Sequence, residues 1–219
     1  ETGMQWIKTN FKFKIKYIFY LFLTLVASFI TVIFLNEKNI LLYILFLALF
    51  YLAFKSLENF VIKKSNLAQS FSHLGFAMLM ISILVNSFSS TEVIKNLNVG
   101  ESFNLNNEKI FFKNVKTVKK NNYDSIQGLF EITNNKNETI KLKPEIRIYN
   151  QPVIATSEAA IKTTFLKDRF ITINLIKDEN VFNVRYQNKP FMIWIWISTL
   201  IIIFGGVFAI FNKAKKNYI

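Results

Sequence analysis

Four stretches of the chain are almost unbroken runs of apolar side chains: Tyr17 to Leu35, Ile40 to Phe54 continuing to Phe60, Leu67 to Phe88, and Phe191 to Phe211. At about 1.5 Å per helical residue, each is long enough to cross a hydrocarbon layer of roughly 30 Å. None carries the narrow apolar stripe of a helix lying on a soluble core. Charge is kept out of their centres, where a Lys or Asp would cost about 2.5–3.5 kcal/mol on insertion. Lys55 and Glu58 lie only near the end of the second run. The pattern predicts four spanning helices.

From Ser89 the solid runs give way to alternation, the mark of half-buried strands. KIFFKNVKTV (Lys109–Val118), GLFEIT (Gly128–Thr133), TIKLKPEIRIY (Thr139–Tyr149), FITINLI (Phe170–Ile176) and VFNVRY (Val181–Tyr186) read as strands. Asn-rich breaks fall at Asn121-Asn122, Asn134 to Asn137 and Asp178 to Asn180. SEAAIK (Ser157–Lys162) reads as a short helical interruption, and Pro190 as the start signal of the last helix. The expected fold is therefore an α-helical integral membrane protein of about four transmembrane helices with an inserted small antiparallel β domain, a barrel or a sandwich. Its parts are an N-terminal segment with three helices (1–88), an external β domain (89–189), and a fourth helix with a basic tail (190–219).

Composition agrees: 52% of the 219 residues are hydrophobic, 24 are Phe, and only 3 are Pro. A net charge of +13 raises nucleic acid as a partner until its distribution is examined. Lys8, Lys12, Lys14 and Lys16 precede the first run, Lys55, Lys63 and Lys64 separate the second from the third, and Lys213, Lys215 and Lys216 follow the fourth. That is the positive-inside arrangement. It predicts both termini in the cytoplasm or matrix, the β domain on the opposite side, and lipid rather than nucleic acid as the surrounding partner. The chain has no cysteine, which excludes disulfides, a thiol nucleophile and thiolate metal sites.

The only histidine, His73, stands inside the third run, about 9 Å from Leu67. An ionisable side chain within a span needs a partner there. Imidazole is a common axial ligand of haem iron, but a neutral histidine bonded to a neighbouring helix fits the same position. Trp194 and Trp196 read as interfacial anchors, and Gly205-Gly206 as a point of close helix packing. No HExxH, phosphate loop or Ser-His-Asp set can be assembled.

Taken in order, several segments resemble the C-terminal part of the CcmF family, the haem lyase subunits of c-type cytochrome maturation. They are SHLGFAMLMISI (Ser72–Ile83), Val99-Gly100-Glu101, Asn122-Tyr123, PEIRIY (Pro144–Tyr149), SEAAI (Ser157–Ile161), and VRYQNKPFMIWIW (Val184–Trp196) running to a Gly-Gly. The resemblance implies that His73 is one of two axial ligands of a membrane b-type haem, the second coming from another chain or from an N-terminal part. It implies partners as well: an N-terminal CcmF-like half, CcmE-type and CcmH-type proteins, and apocytochrome c. Candidate docking residues on the β domain are Glu145, Arg147, Tyr149, Glu158 and Arg185; for Tyr149 and Arg185 a role as ties within the sheet stands as the alternative. None reads as catalytic. The family's tryptophan-rich substrate-haem motif, its two external histidines and the other b-haem ligand are absent, and Ile146 replaces a Lys of the family's PEKRxY.

The expectation is part of a haem lyase, a split-gene product or fragment that is inactive alone, in a bacterial or mitochondrial inner membrane. The alternative is a non-catalytic membrane scaffold whose β domain docks partners.

Overall fold

A computed structural model describes residues 15–62, 67–176 and 181–217. Lys8, Lys12, Lys14, Lys63 and Lys64 of the basic flanks, and the break at 178–180, lie outside the described residues. The chain forms two compact units: one ends at Val85 and resumes at Trp194, and the other runs Asn86–Ile193.

The first unit is built from helices α1 (Ile15–Phe34), α2 (Ile40–Ile62), α3 (Leu67–Ser89) and α4 (Met192–Asn217). All four are long and apolar enough to span a bilayer. Their polarity is inverted relative to a soluble bundle. Phe19, Phe22, Phe29, Ile33, Leu41 and Ile44 face outward, whereas Thr24, Ser28, Ser56, Ser82 and Ser198 are buried. These inward hydroxyls are satisfied within their own helices: Ser28 donates to the Thr24 carbonyl, Ser56 to Leu52, Ser82 to Met78 and Ser198 to Trp194. A hydroxyl that caps its own i−4 carbonyl leaves no orphan polar group in a medium without water. The chain is a multi-pass membrane protein.

Helices α3 and α4 meet along small residues. A Cβ added to Gly75 would lie 2.8 Å from Ile202 Cγ1 and 3.0 Å from the Ser198 carbonyl. One added to Gly205 would collide with the Ser72 side chain and lie 2.8 Å from the Ser72 amide nitrogen. Gly206 has open space instead, so only one glycine of the pair serves the packing that the sequence suggested. Beside this seam Phe71 stacks on Phe208 at 5.5 Å and meets Phe60 of α2 edge-on at 5.2 Å.

The second unit is an antiparallel β-sandwich. Its four-stranded sheet has the order β1 (Thr91–Leu97), β10 (Phe182–Pro190), β9 (Lys167–Leu175), β8 (Ala160–Thr163). Its six-stranded sheet runs β2 (Ser102–Leu105), β3 (Glu108–Lys119), β4 (Tyr123–Asn134), β6 (Glu145–Asn150), β7 (Val153–Glu158), with β5 (Thr139–Leu142) paired to β4. Alternate residues of both sheets fill the core. Phe112 stacks on Phe130 at 4.4 Å and meets Phe182 of the other sheet edge-on at 5.4 Å. Ile110, Ile132, Ile171, Ile173, Val184 and Tyr186 close around them.

Three expectations need correction. SEAAIK is not helical: Ser157 and Glu158 end β7, Ala160 to Lys162 lie in β8, and Ala159 is the crossover between the two sheets. Pairing partners on β6 and β9 outweigh the helix propensity of two alanines. TIKLKPEIRIY is two strands, because Pro144 has no N–H for the ladder and the chain changes its pairing position on β4 there. Pro190 ends β10 rather than starting a helix; α4 begins two residues later, after Phe191.

If the α3–α4 seam holds the bundle, Gly205→Leu will lower the thermal midpoint of the detergent-solubilised chain by several degrees, while Gly206→Leu leaves it unchanged. Equal effects at the two positions in a melting assay would show that close approach at Gly205 is not what matters.

Candidate functional site

His73 lies on α3 one residue beyond Ser72 of the helix seam, about 100° further round the helix. It is exposed, as are Gln69, Phe76 and Ile83 on the same face. It makes no hydrogen bond with another described residue. Gln69, one turn earlier, is the other polar side chain among the four residues named on this face; Phe76 and Ile83 are apolar. Within a span, the imidazole calls for a partner from outside the four helices.

Four of the five candidate docking residues come together on the β domain. In β6, Glu145, Arg147 and Tyr149 alternate with the core residue Ile146 and share the outward face of the six-stranded sheet. Arg147 Nε donates to Glu145 Oε1 at 2.6 Å, and its guanidinium lies 5.1 Å from the Tyr123 ring centroid and 3.9 Å from Glu158. Ser125 and Gln127, opposite on β4, donate to the second oxygen of Glu145 at 2.6 and 2.9 Å. Partial burial pushes the Glu145 carboxyl up, but these donors outweigh it and hold the group below its ordinary range. Tyr149 packs on Tyr123 with ring centroids 5.3 Å apart. Glu158 remains half-exposed at the margin.

Arg185 stands apart, on the outward face of the four-stranded sheet. It grips Glu92 of β1 through two bonds of 2.7 and 3.1 Å, and Gln187 adds a third to the same carboxylate. With Ala159, Phe170 and Thr172, Arg185 and Gln187 border an open depression of about 80 Å³. Ligand pockets run to roughly 300–1,000 Å³, so this one holds no haem-sized group.

The residue pattern missed a fourth cluster. Glu108 opens β3 and is 6% exposed. Its Oε1 accepts from Lys167 Nζ at 2.7 Å and from Arg169 Nε and Nη2 at 3.0 and 2.7 Å, and its Oε2 accepts from Tyr186 Oη at 2.6 Å. Burial alone would raise this carboxyl; the three donors win and bring it from its ordinary 4.5 down to about 2. Burial, then the bond to Glu108, drive the Tyr186 phenol up. A signal was available, since Glu108 shares parity with Ile110 and Phe112, and Arg169 with Ile171 and Ile173. Strands read as starting at Lys109 and Phe170 cut off both charges. Every oxygen of Glu108 is occupied, so the cluster ties the two sheets and offers nothing to a substrate.

Residues 88–190 match the family model of the CcmF C-terminal β-sandwich. Over these residues and its flanking spans the chain is similar to the C-terminal part of CcmF proteins. It is 28% identical over 145 residues to the cytochrome c-type biogenesis protein CcmF of Pseudomonas fluorescens, an alignment covering 66% of this chain and 22% of that protein. With CcmF of Haemophilus influenzae the identity is 26% over 155 residues, covering 71% of this chain and 24% of the relative. The chain thus spans less than a quarter of the length of these curated CcmF relatives. A solved structure titled cytochrome c heme lyase CcmF superposes with a TM-score of 0.69 over 91% of this chain and 34% of that one, at 11% identity, a likeness of fold.

Because Glu108 is depressed in the folded state, its contribution is complete above about pH 4.5 and is lost as the pH falls towards about 2. Hydrogen exchange of the Ile171 and Tyr186 amides will lose protection through that window. Glu108→Gln will reduce protection by about 3 kcal/mol at neutral pH and flatten the acid response. An unchanged acid response in the variant would assign the titration to another group.

Proposed function

We propose that this chain acts in c-type cytochrome maturation as the C-terminal portion of a haem lyase, contributing one axial ligand to a membrane b-type haem. The single observation that carries this is His73: an exposed imidazole on a spanning helix, unpaired among the described residues, in a chain similar to the C-terminal part of CcmF proteins. Such a group fits one axial position of a planar, largely apolar cofactor seated against the helix. A haem held there would take its second ligand from another chain or from an N-terminal part. A haem bound there supplies one-electron chemistry that keeps substrate haem iron reduced. His73 would orient the ring through the α3 backbone, and Phe76, about one turn along on the same exposed face, would help keep water away from it.

The β domain serves as the docking module, facing away from the cytoplasm or matrix. Arg147, Tyr149 and Glu158 supply charge and aromatic surface for CcmE-type or CcmH-type proteins or for apocytochrome c, and Glu145 presets Arg147. Arg185, whose Nε and Nη2 donate to the two oxygens of Glu92, is read as a sheet tie. The basic flanks support termini on the cytoplasmic or matrix side of an inner membrane.

Purified with its remaining family parts, the wild-type assembly will show a Soret band that His73→Ala abolishes or shifts by several nanometres. Full retention of the band in the variant would remove the ligand assignment and favour the scaffold reading. Arg147→Ala, by contrast, will lower the yield of mature cytochrome c several-fold in cells with haem absorbance of the assembly unaltered; a normal yield would take Arg147 out of docking.

A further inference from the structure

Among the surface features of the β domain, the turn between β8 and β9 has no use in the reading above. Thr164 builds it: its amide and hydroxyl both donate to the Lys167 carbonyl, and its hydroxyl accepts the Lys167 amide. Phe165 and Leu166 form the tip, each 60% exposed. Water-facing turns of this kind favour Gly, Asn, Asp and Ser. Two adjacent large apolar side chains held outward by a fixed turn are the opposite choice.

The turn is anchored at both sides. Lys167 reaches back to the buried Glu108. The Leu166 carbonyl accepts the Phe191 amide at 2.8 Å, and Phe191 is the residue immediately before α4. Phe191 itself adopts a φ of 60°, which a bulky residue rarely holds. Pro190 is bonded in turn to Asn86, in the last turn of α3. So the tip is pinned to the point where the two flanking spans enter and leave the β domain. Phe88, in the last turn of α3, exposes another ring.

We infer that the Phe165–Leu166 turn inserts into the interfacial layer of the bilayer that α3 and α4 cross, making a third, non-helical attachment of the β domain to lipid. The occupant is lipid rather than a protein groove because the tip is tied through one backbone bond to a residue adjoining a span, so its height is fixed near that of the helix start. Apolar side chains there gain by leaving water, and Lys162 and Lys189 nearby suit the headgroup layer. This inference uses the spans alone and stands or falls separately from the haem assignment.

The absence of native cysteine permits a direct test on the full chain. Leu166→Cys and Val153→Cys are each spin-labelled and the protein is placed in phosphatidylcholine nanodiscs without partners. Val153 is 82% exposed and opens β7 directly after the β6–β7 turn, at the opposite end of the sandwich. The Leu166 label is expected to be several-fold more accessible to oxygen than to a water-soluble nickel chelate, with the reverse at Val153. A Leu166 label as open to nickel as the Val153 label would overturn the inference. So would one shielded from both quenchers, since the tip would then rest on protein.

Discussion

The β domain depends on the pairing of its first and last strands. β1 follows α3 almost directly, β10 precedes α4 by one residue, and the two run antiparallel through seven register pairs from Thr91–Asn188 to Leu97–Phe182. An insert whose ends pair with each other closes its own loop, so the entropy of the intervening chain is met once, at the base. Everything between can then fold as an independent sandwich. Asn86 and Pro190, bonded across the base, extend the closure into the helix ends.

Two polar clusters in this sandwich look alike in composition and differ in physics. Around Glu108 the charges are withdrawn from water, and a buried carboxylate is tolerable only because three donors surround it. The network joins β3 of one sheet to β9 and β10 of the other and fixes how they stack. Around Arg147 the same residue types sit on an open sheet face, where an ion pair contributes little to stability. Its geometry is nevertheless well defined by Ser125, Gln127 and Tyr123. A preset, solvent-facing guanidinium suits recognition better than folding.

The helical unit follows the logic of a lipid solvent. With hydrocarbon outside, there is no hydrophobic gain in pulling helices together, so contact depends on close backbone approach. Gly75 and Gly205 provide it, and the large side chains turn outward where lipid tails meet them. His73, on α3 but off this seam, is left available.

The sequence by itself determined the four spans and the β character of the insert, because both depend on local periodicity and on chain length against bilayer thickness. Motifs in order along the chain were enough to identify the CcmF resemblance. Charge parity at Glu108 and Arg169 is present in the pattern too, but both stand at or near strand ends, where alternation is least sharp. Only the tertiary structure decided which residues meet. It chose a sandwich over a barrel, broke TIKLKPEIRIY into two strands at Lys143-Pro144, made SEAAIK a crossover of sheets, gathered Glu145, Arg147, Tyr149 and Glu158 on one face, and sent Arg185 to the other sheet. The reason is that register and sheet order follow from long-range pairing and core packing, which no window of neighbouring residues contains.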